Sequence, residues 1–405
     1  MHLRKIGQVI VIVILFFQVP HAPQIASAKS YTITPNSKPI NSRMIKYSTY
    51  NKDTKHYYLL RSYLEKFEKE GRGTLILEEG TYTISNTLFV PSNVTIRMKD
   101  GVKLIKGSKT GTDKFEASKS LFQLIRPTSR AKKNVFGVYN GEKNITFIGE
   151  GKVIFDLKYR KSNFAIIAGH NKNIKIEGIT FQHMQLGHFI EMDANENAII
   201  RNNQFIDAKA SPAINKEAIN LDTPDHVTGG WTLGWSKFDQ TPNRNILIEN
   251  NTFKNLDRAI GTHKYSQDNK QRQKYHEKII IKNNYIEKTT NDAIRIMNWS
   301  NSIIEGNTIK NVSNGKGSNR GILASGAINP MIRNNKFILV PRPMQFYPWK
   351  NNGTGSSYDI TYNQLSKQNI SALKTNNVSK SEENYITINN TYAEFSKNTT
   401  KVFLK

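Results

Sequence analysis

The chain has no cysteine among its 405 residues, which excludes disulfide stapling and thiolate metal sites. It is also short of acid: 32 Asp and Glu stand against 58 Lys and Arg, a formal charge of +26. Helical hydrophobic periodicity is scarce, so helical repeat arrays are excluded. Long apolar runs are scarce too. The one at residues 9–17 follows Arg4 and Lys5 and precedes Ala26-Ser27-Ala28, the layout of a secretory signal peptide over residues 1–28. That run is too short to span a bilayer comfortably, and no second one follows. A secreted protein is therefore expected, extracellular or loosely held at a cell wall, with no stable membrane span after signal cleavage. An uncleaved N-terminal anchor is the other reading of the same segment. Removing Arg4 and Lys5 with the signal takes the charge from +26 to +24. A charge of that size favours polyanionic partners.

What the chain has in abundance is one short phrase. IIRNNQF (199–205), LIENNTF (247–253), IIKNNYI (280–286), IIEGNTI (303–309) and MIRNNKF (331–337) each join a β-branched strand to an asparagine. Such a phrase reads as one coil of a solenoid. Stacked coils put Asn203, Asn251, Asn284, Asn307 and Asn335 above one another. An asparagine tolerates left-handed backbone at a corner, and its amide bonds the amides above and below. The expected architecture is all-β, a right-handed parallel β-helix. Steps of 48, 33, 23 and 28 residues separate these asparagines, while a bare coil takes roughly 20–25. The excess leaves the coil as loops, which gather on one functional face.

The ends follow from the same logic. Residues 29–54 read as an N-terminal linker, 55–390 as the β-helix domain with its cap, and 391–405 as a C-terminal tail. Tyr57, Leu60, Leu64 and Phe67 share one helical face and Gly71 stops that helix, which would cover the open edge of the first coil. Nothing in the chain calls for more than a monomer.

A second strand recurs after each asparagine corner: FIEMD (189–193), AINLD (218–222), AIGTH (259–263), AIRIM (293–297) and GILAS (321–325). Alternation turns their second and fourth residues inward. The outward residues then form two columns, Glu191, Asn220, Gly261, Arg295 and Asp193, Asp222, His263, Met297. Strands about 4.8 Å apart place Asp193, Asp222 and His263 within about 10 Å. Carboxyls so close raise one another's pKa, which separates an acid from a base. Two long insertions leave beside this patch. The loop at 223–243 carries Trp231 and Trp235, read as an aromatic wall for sugar rings. The loop at 264–276 carries Lys264, Lys270, Arg272, Lys274 and His276, read as a basic wall for acidic groups. His183 and His188 read as structural.

These motifs resemble the pectin-lyase-like β-helix superfamily, and within it the polygalacturonase-type glycoside hydrolases. That group carries Asn-Thr-Asp, Asp-Asp, Gly-His-Gly and Arg-Ile-Lys on successive coils. Here Asn220-Leu221-Asp222, Gly261-Thr262-His263 and Arg295-Ile296-Met297 follow in that order. The resemblance implies Asp222 as a catalytic carboxylate, His263 as its support and Arg295 as a substrate-binding cation. No Asp-Asp pair follows Asp222, the histidine is displaced by one residue, and Met297 replaces the lysine. The second carboxylate would come from the preceding coil, as Asp193 or Glu191.

The leading expectation is a glycosidase acting on an acidic glycan of uronate, wall or capsule type. One carboxyl of the Asp193/Asp222 group would protonate the glycosidic oxygen, and Glu191 would activate water or attack the sugar. Asn220, Arg295 and both loops would hold substrate, with no cofactor and no metal ligands. The alternative on the same face is a polysaccharide lyase or uronate epimerase, in which the acids hold Ca²⁺ and His263, Lys264 or Arg295 moves the proton. A third reading is a wall-polymer binding protein without catalysis. Nucleic acid is not an expected partner, because the carboxylates near the aromatics would repel phosphate.

Overall fold

The computed structural model describes residues 29–209, 216–228, 231–352, 357–394 and 397–404; the segment read as a signal peptide lies outside them. β-branched and aromatic residues on alternating positions build strands, and asparagine corners turn them into coils. A full coil supplies three strands, such as Lys172–Glu177, Thr180–Met184 and Ile190–Asp193. These pair in parallel with Glu196–Arg201, Gln204–Ala208 and Glu217–Asp222 of the next coil. Repetition gives a right-handed parallel β-helix with a continuous apolar interior. Identical registers stack identical side chains there. The rings of Phe181 and Phe205 lie 4.9 Å apart and those of Phe205 and Phe253 4.8 Å apart, nearly parallel.

Two adjacent residues divide the work at the corner. Left-handed backbone is taken by the first of each pair, Asn202, Asn250, Asn283, Gly306 and Asn334. The second residue is buried and forms the ladder. Asn203 Nδ2 donates to Asn251 Oδ1 at 3.1 Å, Asn251 to Asn284 at 3.0 Å, Asn284 to Asn307 at 3.0 Å and Asn307 to Asn335 at 2.9 Å. Asn376 extends the column at 2.9 Å. Each amide also donates to a core-strand carbonyl and accepts a backbone N–H from the coil before, so its polar atoms are paired. Asn251→Ala orphans the Asn203 side-chain and backbone donors together, and a buried orphan costs about 1–3 kcal/mol. A loss near 3 kcal/mol is expected in urea denaturation, with an unchanged m-value; a loss under about 0.5 kcal/mol would show the ladder to be incidental.

The helix Lys55–Glu70 lies on the first coils and buries Tyr58, Leu60, Leu64 and Phe67. A Cβ at Gly73 would fall 2.1 Å from the Phe67 ring, so only glycine lets the helix settle there. Residues expected as a linker contribute the strand Ser30–Ile33, which pairs with Gly73–Leu77. At the far end Thr399–Phe403, within the expected tail, turns back antiparallel on Tyr385–Asn389. An antiparallel strand there shields the last parallel edge from further pairing.

Candidate functional site

The first expected column arises as strand alternation requires, whereas of the second only the Asp193–Asp222 pair is in register, because the strand Arg258–Gly261 ends before His263 and both Asp193 and Met297 are buried. Glu191 pairs in register with Asn220, Asn220 with Gly261 and Gly261 with Arg295, while Asp193 pairs with Asp222. A cleft of about 420 Å³ opens on this face, lined by His188, Glu191, Asn220, Asp222, His263 and Lys264 together with Phe164 and Lys216. Asn220 links its two carboxyls: Nδ2 donates to Glu191 Oε1 at 2.9 Å and to Asp222 Oδ2 at 3.2 Å. Asp222 Oδ1 accepts the backbone N–H groups of His263 at 3.0 Å and Lys264 at 3.4 Å. The Lys264 ammonium donates to the Thr228 carbonyl.

Environment separates the acids. Burial, then the neighbouring Asp222, pushes Glu191 up to about 8. Burial and Glu191 drive Asp193 well above the carboxylate range; it is fully buried and neither oxygen is hydrogen bonded among the described residues. Burial raises Asp222 as well, offset by His263 and by the Asn220 bond. Glu217 goes the other way. Burial opposes its charge, but His263 and the Arg258 guanidinium outweigh burial and hold it at about 2. Arg258 Nη1 lies 2.6 Å from Glu217 Oε1, with both side chains buried.

Glu217 also touches both cleft histidines. The Nδ1–H of His188 donates to its carbonyl at 2.6 Å, and His263 Nδ1 lies 3.1 Å from its Oε2. Burial keeps both imidazoles below their ordinary value, His188 at about 3, and so neutral at pH 7. His188 Nε2 faces Glu191 Oε2 at 3.5 Å, and the two rings meet edge to face at 5.0 Å.

Several expected site residues lie elsewhere. Trp231 and Trp235 form no aromatic wall in the cleft: they are buried with Ile125, Phe136 and Ile167. Their rings lie over Gly169, where a Cβ would stand 2.6 Å from Trp235 and 2.8 Å from Trp231. Gly169 is the register partner of Asp193, so the loop folds back up the stack toward the coil above that carboxyl. Apolar rings find more area to bury there than on a wet rim. His276 is not on a basic wall either. It ends a second internal asparagine ladder, its Nδ1 accepting the Asn243 N–H at 2.9 Å, and burial holds it at about 3. Lys270 and Arg272 are exposed and do not line the cleft; Arg272 and Lys274 are tied to Asp268. Arg295 is partly buried one coil below the cleft, with its guanidinium 5.4 Å from the Trp349 ring centre.

His188, read as structural, lines the cleft; Glu217 and Arg258 went unassigned in the sequence, yet for these two a signal was present. Glu217-Ala218-Ile219, Arg258-Ala259-Ile260, Asp292-Ala293-Ile294 and Arg320-Gly321-Ile322 recur in register, each placing a charge two residues before a core isoleucine. The signs alternate down the column, and each charge meets the next: Arg258 lies 3.5 Å from Asp292, and Asp292 3.6 Å from Arg320.

No family model matches the chain. It is 22% identical over 257 residues to plasmin and fibronectin-binding protein A of Streptococcus pneumoniae, covering 58% of this chain and 34% of that protein. The chain thus spans about a third of the length of that curated relative. Among solved structures it is similar to a crystal structure of PfbA, a surface adhesin of Streptococcus pneumoniae. The TM-score is 0.53 at 15% identity, over 91% of this chain and 80% of that one. A second structure of PfbA, described as a surface protein and adhesin, gives 0.54 at 14% identity over 88% of each chain. These likenesses establish a shared fold. No helix among the described residues is long and apolar enough to cross a membrane.

Proposed function

We propose that the protein is a glycosidase that works outside the cell and cleaves an acidic polysaccharide in the cleft between Glu191 and Asp222. The observation that carries this is the pair of carboxyls sharing one amide donor while facing unlike surroundings. Glu191 is buried and stays protonated at neutral pH, as a general acid must. Asp222 receives two backbone N–H groups and the Asn220 amide, which favour its charged form. Glu191 would protonate the glycosidic oxygen while Asp222 attacks the anomeric carbon and the leaving sugar departs. Water, deprotonated by Glu191, would then release the glycosyl-enzyme and restore both groups. This exchanges the roles read from sequence: the two carboxyls are equally buried, but the backbone N–H groups of His263 and Lys264 fall on Asp222 and not on Glu191. Lys216 and Lys264 line the same cleft and supply cationic contacts for uronate or sulfate groups.

Both accepting oxygens lie against one amide nitrogen, at 2.9 and 3.2 Å, which favours the roughly 5–5.5 Å spacing of retaining enzymes over the roughly 6.5–9.5 Å gap that admits a water. Retention of anomeric configuration is therefore expected, read by NMR early in hydrolysis of an acidic oligosaccharide. An inverted first product would remove Asp222 from the nucleophile's role. A panel of acidic glycans, sized after incubation, tests cleavage itself. Ultraviolet-absorbing unsaturated ends would instead assign β-elimination, with His263 as the base.

A second reading rests on the relative named for binding plasmin and fibronectin: the β-helix serves as a binding platform on a cell surface. Under it, polymer or host protein is bound without cleavage, and Asp222→Asn leaves that binding unchanged.

A further inference from the structure

We propose that His188, Glu217 and His263 form a binding site for one divalent transition-metal ion of the zinc class. This goes beyond the proposed cleavage and does not depend on it. One ring nitrogen of each histidine and one carboxylate oxygen of Glu217 lie within 4.8 Å of one another. Glu217 Oε2 and His263 Nδ1 are 3.1 Å apart, close to the edge of a tetrahedron built with metal bonds of about 2.0 Å.

Three further observations point to a cation here. Glu217 is wholly buried, yet its Oε2 makes no hydrogen bond among the described residues. Unpaired buried atoms of this kind are costly unless something fills the gap. Asp222 stands beside the cluster, its Oδ2 4.0 Å from His263 Nδ1, and has no Lys or Arg ion pair among the described residues. A bound cation would balance its charge. Finally, the groups are braced as metal ligands usually are. Arg258 holds the other Glu217 oxygen at 2.6 Å, and the Glu217 carbonyl fixes the His188 ring.

The donor set selects the ion. Two imidazoles and one carboxylate suit Zn²⁺, Co²⁺ or Ni²⁺, whereas Ca²⁺ and Mg²⁺ prefer oxygen alone. The cleft gives the ion its route in.

The test uses mature protein without a histidine tag, stripped with a chelator and titrated with Co²⁺ in the absence of polysaccharide. The expected result is one saturable Co²⁺ per chain with visible ligand-field absorption, displaced by Zn²⁺ and not by Ca²⁺. His263→Gln should weaken binding at least tenfold. That side chain is partly exposed, and circular dichroism checks its fold. His188→Gln provides the second variant should the first misfold. Absence of stoichiometric binding, equal displacement by Ca²⁺, or unchanged affinity in a folded variant would overturn the site. Protein that binds Co²⁺ but cleaves no glycan keeps this site and loses the proposed reaction; the converse outcome does the reverse.

Discussion

Glu191→Gln is expected to lower polysaccharide cleavage by about a thousand-fold, with KM nearly unchanged. The amide has the shape of the protonated acid and still meets Asn220, so binding geometry survives while the transferable proton does not. Stability offers an independent readout with a definite sign. The folded-state pKa of Glu191 is raised from 4.5 to about 8, so its neutral form is what the fold favours. That contribution is complete below pH 4.5 and is lost as pH rises toward 8. The glutamine variant cannot ionise and lacks this decline. Between pH 5 and 8 the parent should lose unfolding free energy relative to the variant. Full activity in the variant would remove Glu191 from the acid's role, and parallel pH-stability curves would show that its carboxyl is not strained.

How far the sequence revealed this site depended on periodicity. The repeated asparagine phrases defined the coils because every copy obeys one corner geometry. Period-two alternation then put Glu191, Asn220 and Asp222 on one face, since a one-residue slip would turn all of them inward. The same rule concealed Glu217. It shares the inward parity of Ile219 and Leu221, a position where a lone charge is not expected, and its pairing with Arg258 makes it tolerable. Loops obey no period, and the residues read as walls went astray there. Nothing near Trp231 or Trp235 in sequence announces Ile125, Phe136 and Ile167, the residues they pack on. His276 looked like part of a basic run, but its register partner on the ladder is Asn243. Asp193 pairs in register with Asp222 as alternation requires, yet it is fully buried, which alternation alone does not reveal.

The largest effect on stability is expected at Arg258. Its side chain is 1% exposed and lies between Glu217 at 2.6 Å and Asp292 at 3.5 Å. Arg258→Met fills much of the same volume but leaves two buried carboxylates without their shared cation. Breaking a buried ion pair from one side costs about 3–5 kcal/mol, more than most single substitutions. The pH dependence should reverse as well. In the parent, Glu217 is depressed from 4.5 to about 2, so its ionised form stabilises the fold above pH 4.5 and that contribution disappears as pH falls through 2. Without Arg258 the burial of Glu217 favours protonation, and stability now falls as pH rises past 4.5. The deficit of the variant, measured by urea denaturation, should therefore be larger at pH 7 than at pH 4. A deficit below about 1 kcal/mol at both pH values would mean that Glu217 draws its charge balance from elsewhere. In that case the alternating column from Glu217 to Arg320 would be a consequence of the coil register rather than a support for the cleft.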